Sequence, residues 1–297
     1  MTTKTDITLY TAQTPNGIKA SILLAELGLD YKAPSVHQLH PVSMMENEQK
    51  EPWFLEVNPN GRIPAMTDRL PDGRQLRVFE SGAMLEYLVD RYDKDHKLSY
   101  PRDAPEHWEV VSWVSRPPSA SCESVFLTPG PPVVDVADGR IGSESGNPES
   151  LQQSVSLPEA REAAWAHVWS AGYAPEKMQY AIDRYTNETR RLYRTMDTHL
   201  AKSQSGYLVG DRVTIADISC WGWIAAHTWA GVSLEEFPHV QKWLGKLLER
   251  PGFEKGRHVP SPHTAFDNDK LSEEELDKRA ESARNWVQAG MKGDAKK

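Results

Sequence analysis

The sequence predicts two unlike domains in one chain: an α/β domain over 6–95, then an all-helical domain over 101–257 and a polar tail over 258–297. Three observations predict this. Short runs with a period of two alternate with apolar stripes of helical period as far as Val89. Beyond Pro101 the strand signals vanish while helical stripes continue. A length of 297 residues suits two domains.

In chain order, Ile7-Thr8-Leu9-Tyr10-Thr11 reads as a short alternating strand. Ile18, Ile22, Leu23 and Leu27 then form a helical stripe, with Thr14 as its cap, Pro15 at the first helical position and Gly28 just past the end. Residues 30–37 read as a second strand, which makes a β-α-β unit and implies parallel pairing. Residues 38–62 are irregular and polar, apart from a short helical piece around Trp53-Phe54-Leu55. Ile63-Pro64-Ala65-Met66 reads as a strand opening on an exposed proline. The turn Leu70-Pro71-Asp72-Gly73-Arg74 and the run Leu76 to Phe79 complete a hairpin over 63–79. Ser81 is expected to cap a helix carrying Met84, Leu85, Leu88 and Val89. The order β-α-β then β-β-α is the thioredoxin-like arrangement.

In the second half, Met178, Ile182, Tyr185, Leu192, Met196 and Leu200 trace one long helix over 174–203, followed by helices over 214–230 and 238–249. A charged helical segment, Ser272 to Gln288, with Leu276 and Trp286 as its main apolar residues, is expected in the tail. Residues 115–160 are rich in Pro, Ser and Gly and carry neither period, so they read as loop or disorder.

Composition excludes several function classes. The net charge is −8 and no long basic run occurs, which argues against nucleic-acid binding. No run of about 18 apolar residues exists to span a membrane. Met1 to Asp6 is polar and lacks a signal core. Two cysteines, Cys122 and Cys220, cannot form a disulfide framework. A soluble, cytoplasmic protein is the expectation.

Four constellations stand out. Thr14-Pro15-Asn16-Gly17 joins the first strand to the first helix, the place where a thioredoxin-like redox enzyme keeps its Cys-x-x-Cys. No cysteine is present, so sulfur chemistry at this corner needs a borrowed thiol. A helix N-terminus favours thiolate over thiol, and the Thr14 hydroxyl and Asn16 amide can donate to it. Simple capping by Thr14 and ordinary first-turn polarity at Asn16 are the competing account. Asn60-Gly61-Arg62-Ile63-Pro64 offers an X-Pro bond of the kind that adopts cis, with an edge on which an extended peptide could pair; a plain turn is the alternative. In Phe79-Glu80-Ser81-Gly82-Ala83, a serine at a helix start can bind a carboxylate and Glu80 can accept from an ammonium group, as a γ-glutamyl end would require; a cap with an incidental acid explains the same residues. Thr214-Ile215-Ala216-Asp217 resembles a capping box, a folding device worth about 1 kcal/mol.

Other candidates are weaker. His37 and His40 have no convincing partner ligands for a metal. Cys220 suits a core position better than a nucleophile. Trp221, Trp223 and Trp229 read as packing. Tyr10 lies within the first strand and is not assigned as a thiol activator. There is no glycine-rich phosphate loop and no Ser-His-Asp arrangement.

Taken in order, Thr14-Pro15-Asn16-Gly17, Asn58-Pro59-Asn60-Gly61-Arg62-Ile63-Pro64-Ala65, Phe79-Glu80-Ser81-Gly82-Ala83-Met84-Leu85, Tyr173-Ala174-Pro175-Glu176-Lys177, Arg184-Tyr185-Thr186-Asn187-Glu188-Thr189-Arg190-Arg191-Leu192-Tyr193 and Thr214-Ile215-Ala216-Asp217-Ile218 resemble glutathione transferases. The nearest likeness is to the fungal and bacterial branch related to the yeast nitrogen-catabolite regulator. It covers roughly 6–114 and 172–257. The resemblance implies a thioredoxin-like domain that holds glutathione, followed by a glutathione transferase helical domain that shapes a second-substrate pocket. It implies a glutathione S-transferase with glutathione as co-substrate and no tightly bound cofactor. The second substrate would be a small electrophile or disulfide, in fungal secondary metabolism by family habit, and the assembly a homodimer. Disulfide or peroxide reduction, or a non-catalytic regulatory role, are the alternatives within the family.

By the same resemblance Asn16 lies beside the sulfur with Thr14 as its neighbour, and Gln49 reaches the glycyl end. Ile63 pairs with the cysteinyl backbone, Glu80 and Ser81 hold the γ-glutamyl end, and Arg184 stands near the sulfur. The chain departs from the family over 115–172, where Trp113-Val114 runs into the Pro/Ser/Gly stretch in place of a continuing helix. An incorrectly joined gene model would account for that departure.

Overall fold

The computed structural model describes residues 3–33, 48–115, 179–228 and 231–266, together with Ser272, Glu275 and Glu281. The stretch at 116–172, His37, His40, Cys122, Trp229 and nearly all of the expected tail helix lie outside the described residues.

The N-terminal half is built on β1 (Thr8–Tyr10), β2 (Ala65–Arg69) and β3 (Gln75–Phe79), in the order β1-β2-β3 with both pairings antiparallel. On the free side of β1, Lys32 bridges to Thr8 in parallel, which is the second strand's pairing as the β-α-β order predicts. Strand alternation sorts the side chains of β1: Ile7 and Leu9 enter the core, while Tyr10 faces a smaller cluster with Phe54, Ile63 and Ala65. One expectation fails at the head of β2. Pro64 is buried, because β2 lies between two strands and Ala65 pairs with Tyr10 on one side and Phe79 on the other. The proline precedes the first ladder residue, so its missing N–H costs the ladder nothing.

Helix α1 (Gly17–Glu26) crosses from β1 to the Lys32 segment, and a short helix α2 (Pro52–Val57) precedes β2. Helix α3 (Ser81–Tyr92) follows β3. Buried Asp68 on β2 fixes α3 in place: it accepts from the Tyr87 hydroxyl at 2.8 Å and the Tyr92 hydroxyl at 2.6 Å, with Arg91 3.5 Å away. Burial, and then the bond to Asp68, push the Tyr92 hydroxyl up to about 12, so it stays a donor at any physiological pH.

The helical half contains α4 (Pro105–Val114), α5 (Gln179–Leu200), α6 (Ile215–Ala225), α7 (Pro238–Leu248) and α8 (Pro251–Arg257). Thus eight helices stand among the described residues. The α5 stripe is as expected, with Leu192, Met196 and Leu200 buried. The capping box is present: the Ala216 N–H donates to the Thr214 hydroxyl and the Thr214 N–H to Asp217. Helix α6 stops at Ala225, short of the expected residue 230.

Helix α8 is absent from the sequence prediction, being too short for a helical stripe. It packs along α1. Gly256 approaches so closely that a Cβ there would stand 2.3 Å from the Ile22 Cα. The Gly256 carbonyl also accepts from the Ser21 hydroxyl at 2.8 Å. Residues 258–266, expected as the start of a polar tail, are held against the body. The Gln13 amide donates to the carbonyls of Arg257, Val259 and Ser261, and Phe266 packs on the fully buried Trp221. None of the described helices is long and apolar enough to cross a membrane.

Candidate functional site

Register places three of the predicted motifs together. Tyr10 ends β1, Ala65 opens β2 and Phe79 ends β3, and these three residues are paired across the sheet. The segments beyond them therefore emerge at one end of the sheet. They are Thr11 to Asn16 leading into α1, Ile63-Pro64 leading into β2, and Glu80-Ser81 leading into α3. Neighbouring strands are about 4.8 Å apart, so β1 and β3 are separated by about 10 Å. An extended tripeptide spans about the same distance.

At the α1 corner the expected cap shifts: the helix starts at Gly17 with Asn16 at the cap position, so Thr14 is not the cap residue and Pro15 is not the first helical residue, although Thr14 still accepts from the first turn. The Gly17 N–H donates to the Thr14 hydroxyl at 2.9 Å, and the Ile18 N–H to the Thr14 carbonyl at 3.2 Å. The hydroxyl's own hydrogen has no acceptor among the described residues. Asn16 is half-buried, and its Oδ1 accepts from the indole N–H of Trp223 at 3.2 Å. Its Nδ2 and its backbone N–H have no partner among the described residues. This end of α1 therefore presents up to three donors and the positive end of the helix dipole.

At the β2 corner, the Ile63-Pro64 peptide is cis, as the motif suggests. Neither the N–H nor the C=O of Ile63 has a partner among the described residues. Gln49 is buried against the same turn: a Cβ on Gly61 would stand 2.8 Å from its carbonyl oxygen.

The β3 corner corrects one expectation. Ser81 is the first residue of α3 and makes no capping bond; Glu80 occupies the cap position, with φ 69° and ψ 122°. L side chains rarely adopt that backbone conformation. Ser81 is a largely buried residue, and its hydroxyl has no hydrogen-bond partner among the described residues. Glu80 meets the neighbouring motif, since the Asn60 amide donates to it at 3.4 Å.

Tyr10 turns away from the α1 corner, its ring 5.9 Å from Phe54 and 6.0 Å from Trp53. Arg184 lies on α5 in the helical half. It is exposed, 5.8 Å from the Tyr185 ring. Cys220 is buried on α6. Among the described residues no cluster of three His, Cys, Asp or Glu could hold a metal ion.

The residue that sequence reading missed is Trp223. Trp221 and Trp223 are two apart on one helix, about 200° around its axis, so they cannot share a core face. Trp221 takes the core, and Trp223 faces the Thr14-Pro15-Asn16 corner. That angular separation was the available signal.

Comparison with known proteins agrees with this geometry. The sequence profile of the glutathione S-transferase N-terminal domain matches residues 15–91, and that of the C-terminal domain matches 160–251. The second match begins ahead of Tyr173, so part of the 115–172 stretch also carries family character. The glutathione S-transferase-like protein tpcF of Aspergillus fumigatus is 30% identical over 269 residues, covering 87% of this chain and 97% of that one. The disulfide-bond oxidoreductase YfcG of Escherichia coli is 31% identical over 247 residues, covering 82% and 91%. A glutathione transferase homologue from Lodderomyces elongisporus, crystallised with two glutathione molecules per subunit, superposes with a TM-score of 0.65 at 32% identity, covering 86% and 99%. The chain belongs to the glutathione S-transferase superfamily, on the branch that also holds the Ure2 proteins.

Proposed function

We propose that the chain binds glutathione across the end of its sheet and presents the thiolate to an electrophilic small molecule, as a glutathione transferase. The observation that carries the reading is the convergence of the three corners at the ends of adjacent strands. The γ-glutamyl carboxylate would meet the Ser81 hydroxyl and the first N–H groups of α3, with Glu80 accepting from the ammonium group. The cysteinyl backbone would pair with Ile63. The sulfur would then lie at the α1 corner, where Asn16, and Thr14 beside it, stabilise the thiolate and raise the fraction of active nucleophile at neutral pH. Attack forms a thioether and expels the leaving group. Gln49 at the glycyl end, Arg184 near the sulfur and a homodimeric assembly enter this reading from the resemblance.

Thiol–disulfide exchange is the second reading. Its support is the likeness to a protein named as a disulfide-bond oxidoreductase, and the same thiolate would serve by attacking a disulfide sulfur. Retention on glutathione resin tests the common premise, and failure to bind removes both readings. Turnover of a chlorinated aromatic with glutathione supports the first; turnover of hydroxyethyl disulfide alone supports the second. Retention with neither activity would instead favour a binding or regulatory role.

A further inference from the structure

We infer that Trp223, on the helical domain, is a positioning residue that orients the Asn16 amide so that its NH2 group faces the glutathione sulfur. The inference deepens the proposed function and rests on it.

An indole nitrogen can only donate a hydrogen bond, whereas an asparagine side chain has one accepting end and one donating end. The Trp223 N–H stands 3.2 Å from Asn16 Oδ1. That contact is attractive in only one of the two amide orientations, and in it Nδ2 points away from the indole. Nδ2 has no other partner among the described residues. Without the indole, Asn16 could turn its carbonyl oxygen towards the thiolate, and a donor would become a repelling dipole.

The backbone of α6 is shaped for this approach. A Cβ on Gly222 would lie 2.6 Å from the Pro15 carbonyl oxygen and 3.2 Å from the Pro15 Cα, so only glycine lets α6 come this close to the corner. The next residue is Trp223. Helix α6 itself is anchored at its start by the capping box. The helical domain thus sets the electrostatics of a sulfur site carried by the other domain.

The test reads the thiol pKa of bound glutathione from thiolate ultraviolet absorbance, with no second substrate present. Trp223→Phe should raise that pKa by about half a unit to one unit. It should lower kcat about fivefold to tenfold, the worth of one neutral hydrogen bond, while the glutathione Kd changes by no more than about twofold. In an Asn16→Ala background, Trp223→Phe should raise the pKa no further, because its effect passes through Asn16. A full additional rise in that background, or no rise in the single variant, overturns the inference. If Trp223→Phe does not fold, hydrogen exchange of the Trp223 indole N–H replaces it. Exchange should be slow in the wild-type chain and faster in Asn16→Ala; equal exchange in the two overturns the inference. Wild-type protein that does not bind glutathione ends the proposed function and this inference together, whereas binding with a thiol pKa indifferent to Trp223 ends this inference alone.

Discussion

Asn16, Ser81 and Glu80 are all polar residues at helix starts, yet their surroundings assign them different tasks. The free donors of Asn16 lie at the α1 corner, where charge on sulfur would develop. Asn16→Ala should therefore lower kcat on the order of 100-fold, as loss of one preorganised donor does, with far less change in glutathione Kd. Steady-state kinetics beside calorimetric binding checks this, and a loss of affinity with unchanged kcat would refute it. Ser81 stands at the β3 corner, two strands away. Ser81→Ala should weaken glutathione binding roughly tenfold or more, the scale of a bond to a charged group, and leave kcat at saturating glutathione unchanged. Glu80 has φ 69°, which glycine adopts freely. Glu80→Gly should then be about 1 kcal/mol more stable than Glu80→Ala in urea titration, although both lose glutathione affinity. Equal stability of the two would mean that the backbone relaxes to negative φ when the carboxylate is removed.

At the scale of elements, helix α6 depends on a single buried carboxylate. Asp217 accepts from the Thr214 N–H at 2.9 Å, the Leu208 N–H at 3.0 Å and the Trp243 indole N–H at 2.8 Å. The capping box is thus also a staple to α7 and to the loop before α6. Asp217→Ala would strand three buried donors, so it should destabilise the fold by about 3 kcal/mol or more, against about 1 kcal/mol for Thr214→Ala. A smaller loss for Asp217→Ala than for Thr214→Ala in chemical denaturation would contradict the staple. The cap was legible in the sequence because capping acts over three residues. The bonds to Leu208 and Trp243 were not, since residues 9 and 26 positions away in the chain carry no local mark of contact. The same limit explains α8. Seven residues make too few turns to display a period, and the helix is held mainly by its fit along α1.

At the scale of the whole molecule, the two domains are joined through α1. Its outer side receives α8, with Gly256 against Ile22, and Arg250 pairs with Glu26 at 2.6 Å. Its N-terminal corner receives α6 through Gly222 and Trp223. The helix that bears the proposed sulfur site is therefore clamped by the second domain at both ends. Gly256→Ala must push α8 outward against the Ile22 backbone and should cost about 2 kcal/mol, seen as a lowered Tm in calorimetry. An unchanged Tm would show that α8 is dispensable to the clamp.

The sequence by itself determined the local chemistry. It determined the cysteine-free corner with its threonine and asparagine, the Ile-Pro lead into β2, the glutamate and serine at the start of α3 and the cap of α6. Each is written within a few adjacent residues, because turns, caps and strand ends are short-range devices. Only the tertiary structure decided which of these devices share a space. Strand pairing carried residues 10, 65 and 79 to one sheet end, and a glycine on α6 let an indole from residue 223 reach residue 16. Pairing register and helix docking depend on surfaces meeting across long stretches of chain, and no local pattern of residues encodes that distance.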